Sequence, residues 1–492
     1  MRPNQHRQVA TLSTTEVAAA RDNAAPATDT NRPGRGAFRA LALRLHFYAG
    51  LFVGPFVLIA AVTGALYAIS PTIESFTGRD VLYVGSEGPQ RPLSEQVAAG
   101  VAIRPDLTLV AVAPAPEPGE TTRVLFSDPG LGESDRRAVF VDPVTAQPVG
   151  ESVVYGSSGA LPVRAWISQA HRHLHLGEPG RLYSELAASW LWLIALAGLV
   201  LWVRRVRARR RRNSTAWLFA PDLTSNTRGR RLNWHGAVGI WILPILLLLS
   251  ATGLTWSTYA GANIEQLREN LSWTTPTVDT ALPNTPSADH SGHAGHHGGP
   301  TMTHTVPTER IEQLDTVLAA ARTAGVTRAA EISIPGDDAG AFAVKELRRS
   351  GTLTVDAVAV DGATGAITDR LPYSEWTLMA KLANWGIQLH MGLMFGLLNQ
   401  LLLLAAMIGL ITVIVRGYRM WWQRRPATAG TWRAAGKPPQ RGALRRSLRL
   451  AVPVLAVAAL IGWFAPVFGL SLLGFLVVDI IVGRVRRLRA AA

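Results

Sequence analysis

The chain has 492 residues, 48% of them hydrophobic, with a formal net charge of +15 and no cysteine. The missing cysteine excludes disulfides, iron–sulfur clusters, a thiolate-ligated haem and covalent C-x-x-C-H attachment, and leaves any redox cofactor to nitrogen or oxygen ligands. The arginines cluster at the ends of apolar runs (Arg204–Arg212, Arg228–Arg231, Arg416–Arg425, Arg484–Arg489), the positive-inside pattern of a membrane protein and not the basic face of a nucleic-acid binder.

In chain order, residues 1–38 are rich in Ala, Thr, Asn, Arg and Pro, without apolar periodicity, and read as a disordered cytoplasmic tail. Its length, and the missing small-residue cleavage site after the next apolar run, argue against a removable signal peptide. Residues 39–70 hold the first span, since about 20 apolar residues cross a bilayer. Residues 71–183 form an outer domain, with a helix over 93–101 and strands over 107–112, 122–126 and 138–141 between Pro/Gly turns. A second span over 184–204 leads to a basic cytoplasmic loop, 205–232, and a third span, 233–258. Residues 259–384 form a second outer domain, with a helix near 308–323, strands near 329–334, 341–346 and 352–360, and a low-complexity insertion at 275–304. The fourth span lies within 385–416 and is followed by a cytoplasmic loop, 417–447. Residues 448–483 have arginines at both ends, so a hairpin turning near Pro466 is expected, then a basic cytoplasmic tail, 484–492. The expected fold is a membrane α-helical bundle of four core spans in two duplicated units, plus the hairpin, about six spans in all, carrying two small α+β outer domains.

The duplication is explicit. At an offset of 219, Trp166, Gln169, His171, Gly177, Gly198 and Trp202 fall on Trp385, Gln388, His390, Gly396, Gly417 and Trp421. At an offset of 189, His46, Gly50, Pro55, Leu58, Thr63 and Gly64 fall on His235, Gly239, Pro244, Leu247, Thr252 and Gly253. Each half therefore carries one histidine at the head of each apolar segment. His46 and His235 begin spans on the cytoplasmic side, and His171 and His390 precede spans on the outer side. Two facing imidazoles suit a six-coordinate b-type haem, because neutral nitrogen can ligate iron from both axial sides. Gly50, Gly239, Gly177 and Gly396 are expected to make room for a porphyrin. The plainer alternative is an interfacial histidine that caps or anchors a helix. Four such histidines placed identically in both halves weigh against it.

His175, four residues after His171 on the same helical face, is the reserve candidate for the outer ligand; His173 reads as solvent-facing or as a neighbour of the site. In the insertion, His290, His293, His296, His297 and the later His304 can gather Cu²⁺, Ni²⁺ or Zn²⁺, or form a solvated linker. Thr63-Gly64 and Thr252-Gly253 read as helix-packing positions. No phosphate loop, dinucleotide glycine pattern, His-Glu-x-x-His or nucleophile constellation is present.

His171-Arg-x-Leu-x-x-Gly177, Leu389-His390-x-Gly392-x-x-x-Gly396 and the Trp-basic ends of the second and fourth spans resemble the PepSY-associated transmembrane family. Val141-Asp142-Pro-Val-Thr145, with its twin at Asp361, is similar to the PepSY outer-domain signature, and the resemblance covers about residues 40–425. It implies an inner (cytoplasmic) membrane protein, in contact with lipid, with two bis-histidine b-type haems; the arginine pattern places both termini in the cytoplasm. The haem ligands carried over are His46, His171, His235 and His390. The implied function is electron transfer from a cytoplasmic or quinol donor to a ferric siderophore or related metal chelate outside, a siderophore-iron reductase. Two other readings stay open: a non-enzymatic metal-binding protein using the His-rich loop, and a PepSY-type regulator of an envelope peptidase.

Overall fold

The computed structural model describes residues 33–211, 217–222, 227–282, 308–336, 340–423 and 448–491. The tail up to residue 32 and the histidines at 290, 293, 296, 297 and 304 lie outside the described residues.

Helix α1 (Pro33–Phe52) and helix α2 (Gly54–Thr77) form a pair bent by 62°. Pro55 stands in the first turn of α2. Its missing N–H removes one backbone bond across the junction, so the two helices need not be collinear. The first segment between long helices holds a short helix α3 (Arg79–Leu82), helix α4 (Leu93–Ile103), strands β1 (Thr108–Ala113), β2 (Thr122–Ser127), β3 (Asp135–Val141) and β4 (Pro148–Tyr155), and helix α5 (Pro162–His173). The long helices α6 (Glu178–Arg210) and α7 (Thr227–Thr255) follow, then α8 (Tyr259–Asn270). The second such segment holds α9 (Thr308–Glu312), α10 (Leu314–Thr323), β5 (Ala330–Ser333), β6 (Phe342–Glu346), β7 (Ala357–Val360), β8 (Ile367–Leu371) and helix α11 (Leu378–His390). Helices α12 (Leu397–Trp422), α13 (Leu448–Phe464) and α14 (Pro466–Ala491) complete the chain.

Among the described residues, four helices are long and apolar enough to cross a membrane, or five if the bent α1–α2 pair is one span. The four are α6, α7, α12 and α14; α13 is a shorter apolar helix. Ile59, Leu66, Leu398, Leu401, Leu402, Leu470 and Leu473 are exposed on these elements, which satisfy their own backbone groups and can face lipid. Inside the bundle, Val57, Ala61, Trp190, Ile242, Leu246, Ala406, Met407 and Phe468 form the core. The last two helices dock on the rest: Trp190 Nε1 donates to Ser471 Oγ at 2.9 Å, and Arg44 pairs with Asp479 at 2.8 Å.

The two segments expected as separate outer domains do not remain apart. β1 pairs antiparallel with β5, Val112 opposite Ile332, and eight strands form one sheet in the order β4-β3-β2-β1-β5-β6-β7-β8. The junction removes an exposed edge from each half. Alternation along β2 and β3 supplies two apolar faces. Val124, Phe126, Val139 and Val141 meet Val97 of α4 and Leu314 and Val317 of α10. Leu125, Ala138 and Phe140 face the opposite way, with Leu161 just before α5.

The expected strands at 107–112, 122–126, 138–141, 329–334 and 341–346 match β1, β2, β3, β5 and β6, whereas the one expected over 352–360 begins only at Ala357. β4 and β8 were not expected; they are the two outer edges of the sheet, and most of their residues are only half buried. The segment expected as one span over 385–416 is divided, because α11 ends at His390 and α12 starts at Leu397. Gly396 before α12 has φ 56°, ψ −134°, and Gly177 before α6 has φ 61°, ψ −135°. That backbone region is open essentially to glycine alone. These two glycines set helix starts.

Candidate functional site

The four repeated histidines meet in two pairs. His46 of α1 and His235 of α7 have ring centroids 6.0 Å apart, with the planes at 86°. His171 of α5 and His390 of α11 have centroids 6.5 Å apart, with the planes at 54°. Each pair takes one member from each half of the chain.

The rings are held in the same way within each pair. His46 Nδ1 lies 2.9 Å from the Ile194 carbonyl of α6, and His235 Nδ1 lies 3.0 Å from the Val413 carbonyl of α12. A carbonyl only accepts, so Nδ1 carries the proton in both. His171 Nδ1 lies 3.0 Å from Thr63 Oγ1 of α2, and His390 Nδ1 lies 2.6 Å from Thr252 Oγ1 of α7. Those hydroxyls already donate to backbone carbonyls, Thr63 to Ile59 at 3.0 Å and Thr252 to Leu248 at 2.7 Å. A hydroxyl has one proton, so each Thr oxygen accepts from the imidazole. All four rings thus keep Nε2 as a free lone pair. Ile194 with Val413, and Thr63 with Thr252, are repeat partners at the two offsets, so the backbone anchors are duplicated along with the ligands.

Small residues let the rings lie close to the helices. A Cβ on Gly198 would stand 2.9 Å from His46 Cε1, and one on Gly64 would stand 3.1 Å from His171 Cε1. Their repeat partners Gly417 and Gly253 come within 3.8 Å of His235 and His390. A Cβ on Gly50 or Gly239, each four residues after an inner histidine, would meet no atom within 4 Å. Tyr67 stacks on His171 at 6.1 Å, and its repeat partner Trp256 meets His390 edge-on at 5.1 Å.

The spacing has chemical content. A metal–imidazole bond is about 2.0–2.1 Å and Nε2 lies roughly 1.1 Å from its ring centroid, so two axial imidazoles on one metal have centroids about 6.4 Å apart. Both pairs match that separation. Among the described residues no group of three or more His, Asp or Glu side chains is placed to hold a metal ion. A metal between either pair would need further ligands beyond the described side chains, and a tetrapyrrole is one group that supplies them.

The outer pair opens on a cavity of about 480 Å³, lined by apolar groups such as Leu191, Leu249 and Met407 and by polar ones including Arg164 and Arg348. His175 does not join it. Its Nε2 bonds the Trp166 carbonyl at 3.1 Å, and its exposed ring stacks on Trp166 at 4.9 Å. His173 lines the cavity, and its Nδ1 is buried without a partner. His235 and Thr252 stand seventeen positions apart on α7, roughly 25 Å at the helical rise of about 1.5 Å per residue, so the two pairs are well separated along the bundle. Sequence reasoning takes Thr63 and Thr252 for packing positions and Trp256 for a belt or packing residue, and misses the carbonyl anchors, Tyr67 and Arg164, although the two offsets already align Thr63 with Thr252 and Gly198 with Gly417.

The fold is a duplicated membrane helix bundle that carries two histidine pairs and one eight-stranded sheet. The chain belongs to the PepSY-associated TM region family, whose profile matches residues 43–424. It is also similar to an uncharacterized protein of Pseudomonas aeruginosa, 38% identical over 96 residues. That match spans 19% of this chain and 21% of the relative, so the chain aligns with about a fifth of the relative's length.

Proposed function

We propose that this chain is a haem b membrane oxidoreductase that passes electrons across the bilayer to a ferric siderophore or related metal chelate on the outer side. The observation that carries the reading is one arrangement repeated at both sites: Nδ1 of each imidazole held on an oxygen, which leaves Nε2 its lone pair, and the two rings of each pair 6.0 and 6.5 Å apart. Bound at each site, a b-type haem supplies a one-electron ferric–ferrous couple.

The protein's own groups do the rest. The Ile194 and Val413 carbonyls and the Thr63 and Thr252 hydroxyls hold the imidazoles neutral and oriented and raise their basicity as ligands. Tyr67 and Trp256 flank the outer pair with aromatic surface. The separation of roughly 25 Å along α7 is shorter than the hydrocarbon layer of about 30 Å, which brings the two sites within one bundle. In this reading each half of the eight-stranded sheet is one PepSY module, and the chelate docks on the outer side. One electron converts its Fe³⁺ to Fe²⁺, which hard oxygen ligands hold far less tightly. The electron comes from a cytoplasmic reductant or a quinol. The same reading takes α13 and α14 as the arms of a hairpin, giving six spans in the inner membrane with both termini in the cytoplasm, beside the arginine clusters.

The test is an absorbance spectrum of detergent-purified protein, oxidised and dithionite-reduced, with haem quantified against protein. About two reducible b-type haems per chain are expected, falling by half in His46→Ala or His390→Ala. A colourless protein after expression with ample haem removes the reading.

A further inference from the structure

Charge around the outer cavity is lopsided. Arg164, Arg172, Arg181 and Arg348 line it against Glu185. Glu185 is already engaged, accepting from the Tyr259 and Ala260 backbone N–H groups at 3.0 Å each. Arg172 donates to the Tyr155 hydroxyl, and Arg348 Nε donates to Asn384 Oδ1 at 2.7 Å.

Arg164, on α5, differs from the others. It is 6% exposed. Its Nη1 faces Glu74 Oε1 at 3.3 Å, and the other oxygen of Glu74 accepts from Leu161 N at 2.7 Å. The opposite edge of the guanidinium, Nε and Nη2, is buried with no partner among the described residues. Leaving two charged donors dry and unpaired is costly. That edge is a planar two-pronged donor, the shape that a carboxylate accepts with both oxygens. The nearest acidic group along the cavity wall is Glu185, which is spent on α8.

We propose that the Nε–Nη2 edge of Arg164 is a carboxylate-binding site of the outer cavity, with Arg348 of the second half lending further positive charge. The carboxylate has two possible sources. One is a propionate of the tetrapyrrole between His171 and His390, and this source rests on the haem reading above. The other is a carboxylate of a chelate entering the cavity.

The experiment uses the full-length chain in detergent, in a His46→Ala background so that only the outer pair can load. Haem-free protein is titrated with protohaem, with its dimethyl ester, and separately with citrate. If the site holds a propionate, protohaem binds about tenfold tighter than the ester, and Arg164→Gln abolishes that preference. If it holds an external carboxylate, the two haems bind alike, and citrate binding weakens about tenfold in Arg164→Gln. Arg164→Lys keeps the charge without the fork, is expected to restore part of either effect, and carries the comparison if the Gln variant does not fold. Haem preference and citrate affinity that are both unchanged in the variants overturn the proposal, leaving Arg164 only its pair with Glu74. A parent protein that takes up neither haem removes the haem reading, and the citrate titration then decides this site alone.

Discussion

The Tyr418 hydroxyl donates to the Leu51 carbonyl at 2.7 Å, and Leu51 is the residue four before Pro55, whose missing N–H leaves that carbonyl without a helical donor. A side chain of α12 therefore closes the break between α1 and α2. Tyr418→Phe strands the carbonyl and is expected to lower stability by about 1–3 kcal/mol. The readout is the thermal unfolding midpoint in detergent; an unmoved midpoint would mean that the carbonyl finds another donor.

The threonine anchors allow a selective test of the outer pair. Thr63→Val or Thr252→Val keeps the shape but removes the oxygen that accepts from His171 or His390. Haem affinity at the outer pair is expected to fall about 10–100-fold, with the inner pair unaffected. Titration of haem into the variants in a His46→Ala background, which leaves the outer pair, and in a His390→Ala background, which leaves the inner pair, separates the two. Equal weakening at both pairs would point to a general packing defect.

Asp315 of α10 caps α4 from the other half of the chain. Its Oδ1 accepts from Leu93 N at 2.5 Å and its Oδ2 from Ser94 N at 3.3 Å. Asp315→Ala should cost about 1–2 kcal/mol. Because the contact joins the two halves, faster amide exchange is expected over both α4 and α10; exchange confined to α4 would show the halves to be independent there.

Glu346 of β6 is 3% exposed, and burial raises its pKa above the ordinary 4.5. The folded state then holds this proton more tightly than the unfolded chain does. The group's contribution is complete below about pH 4.5 and is lost as pH rises through the elevated value. Glu346→Gln, which keeps an acceptor for Asp356 N, should flatten that part of the stability profile. Denaturant midpoints across the acid-to-neutral range provide the check, and a variant with the parent's slope would assign the pH dependence to other groups.

The run His290, His293, His296 and His297 belongs to an addition found in one half only. Deleting residues 286–304 is expected to reduce Ni²⁺ or Cu²⁺ binding, measured by calorimetry, while the haem spectrum stays as it was. Loss of the haem spectrum would make the insertion part of the core.

The pairing of His46 with His235 and of His171 with His390 was legible because two constant offsets set equal residues at equal depth. The same offsets held the anchors in plain view. A Thr-Gly step within an apolar helix nevertheless reads as packing until the ring it supports is seen. The break before α12 was hidden by apolar residues running from Met391 to Phe395, with Gly392 and Gly396 as its only marks. The joining of β1 to β5 left no local trace, since Val112 and Ile332 are more than 200 positions apart in the chain and an inner strand alternates like any other. β4 and β8 escaped because an edge strand need not bury much apolar surface.

Each imidazole pair draws one ring from each half, and the sheet is completed only across their seam. Half of this chain by itself would own two unmatched histidines and a bare strand edge. It would become whole only by meeting a second copy of itself, giving a symmetric dimer with the same two sites. Fusion of two such copies frees them to diverge without losing the match. The insertion in one half and the bent α1–α2 pair, set against the unbroken α7 around Pro244, are differences that a self-paired ancestor could not have kept to one side.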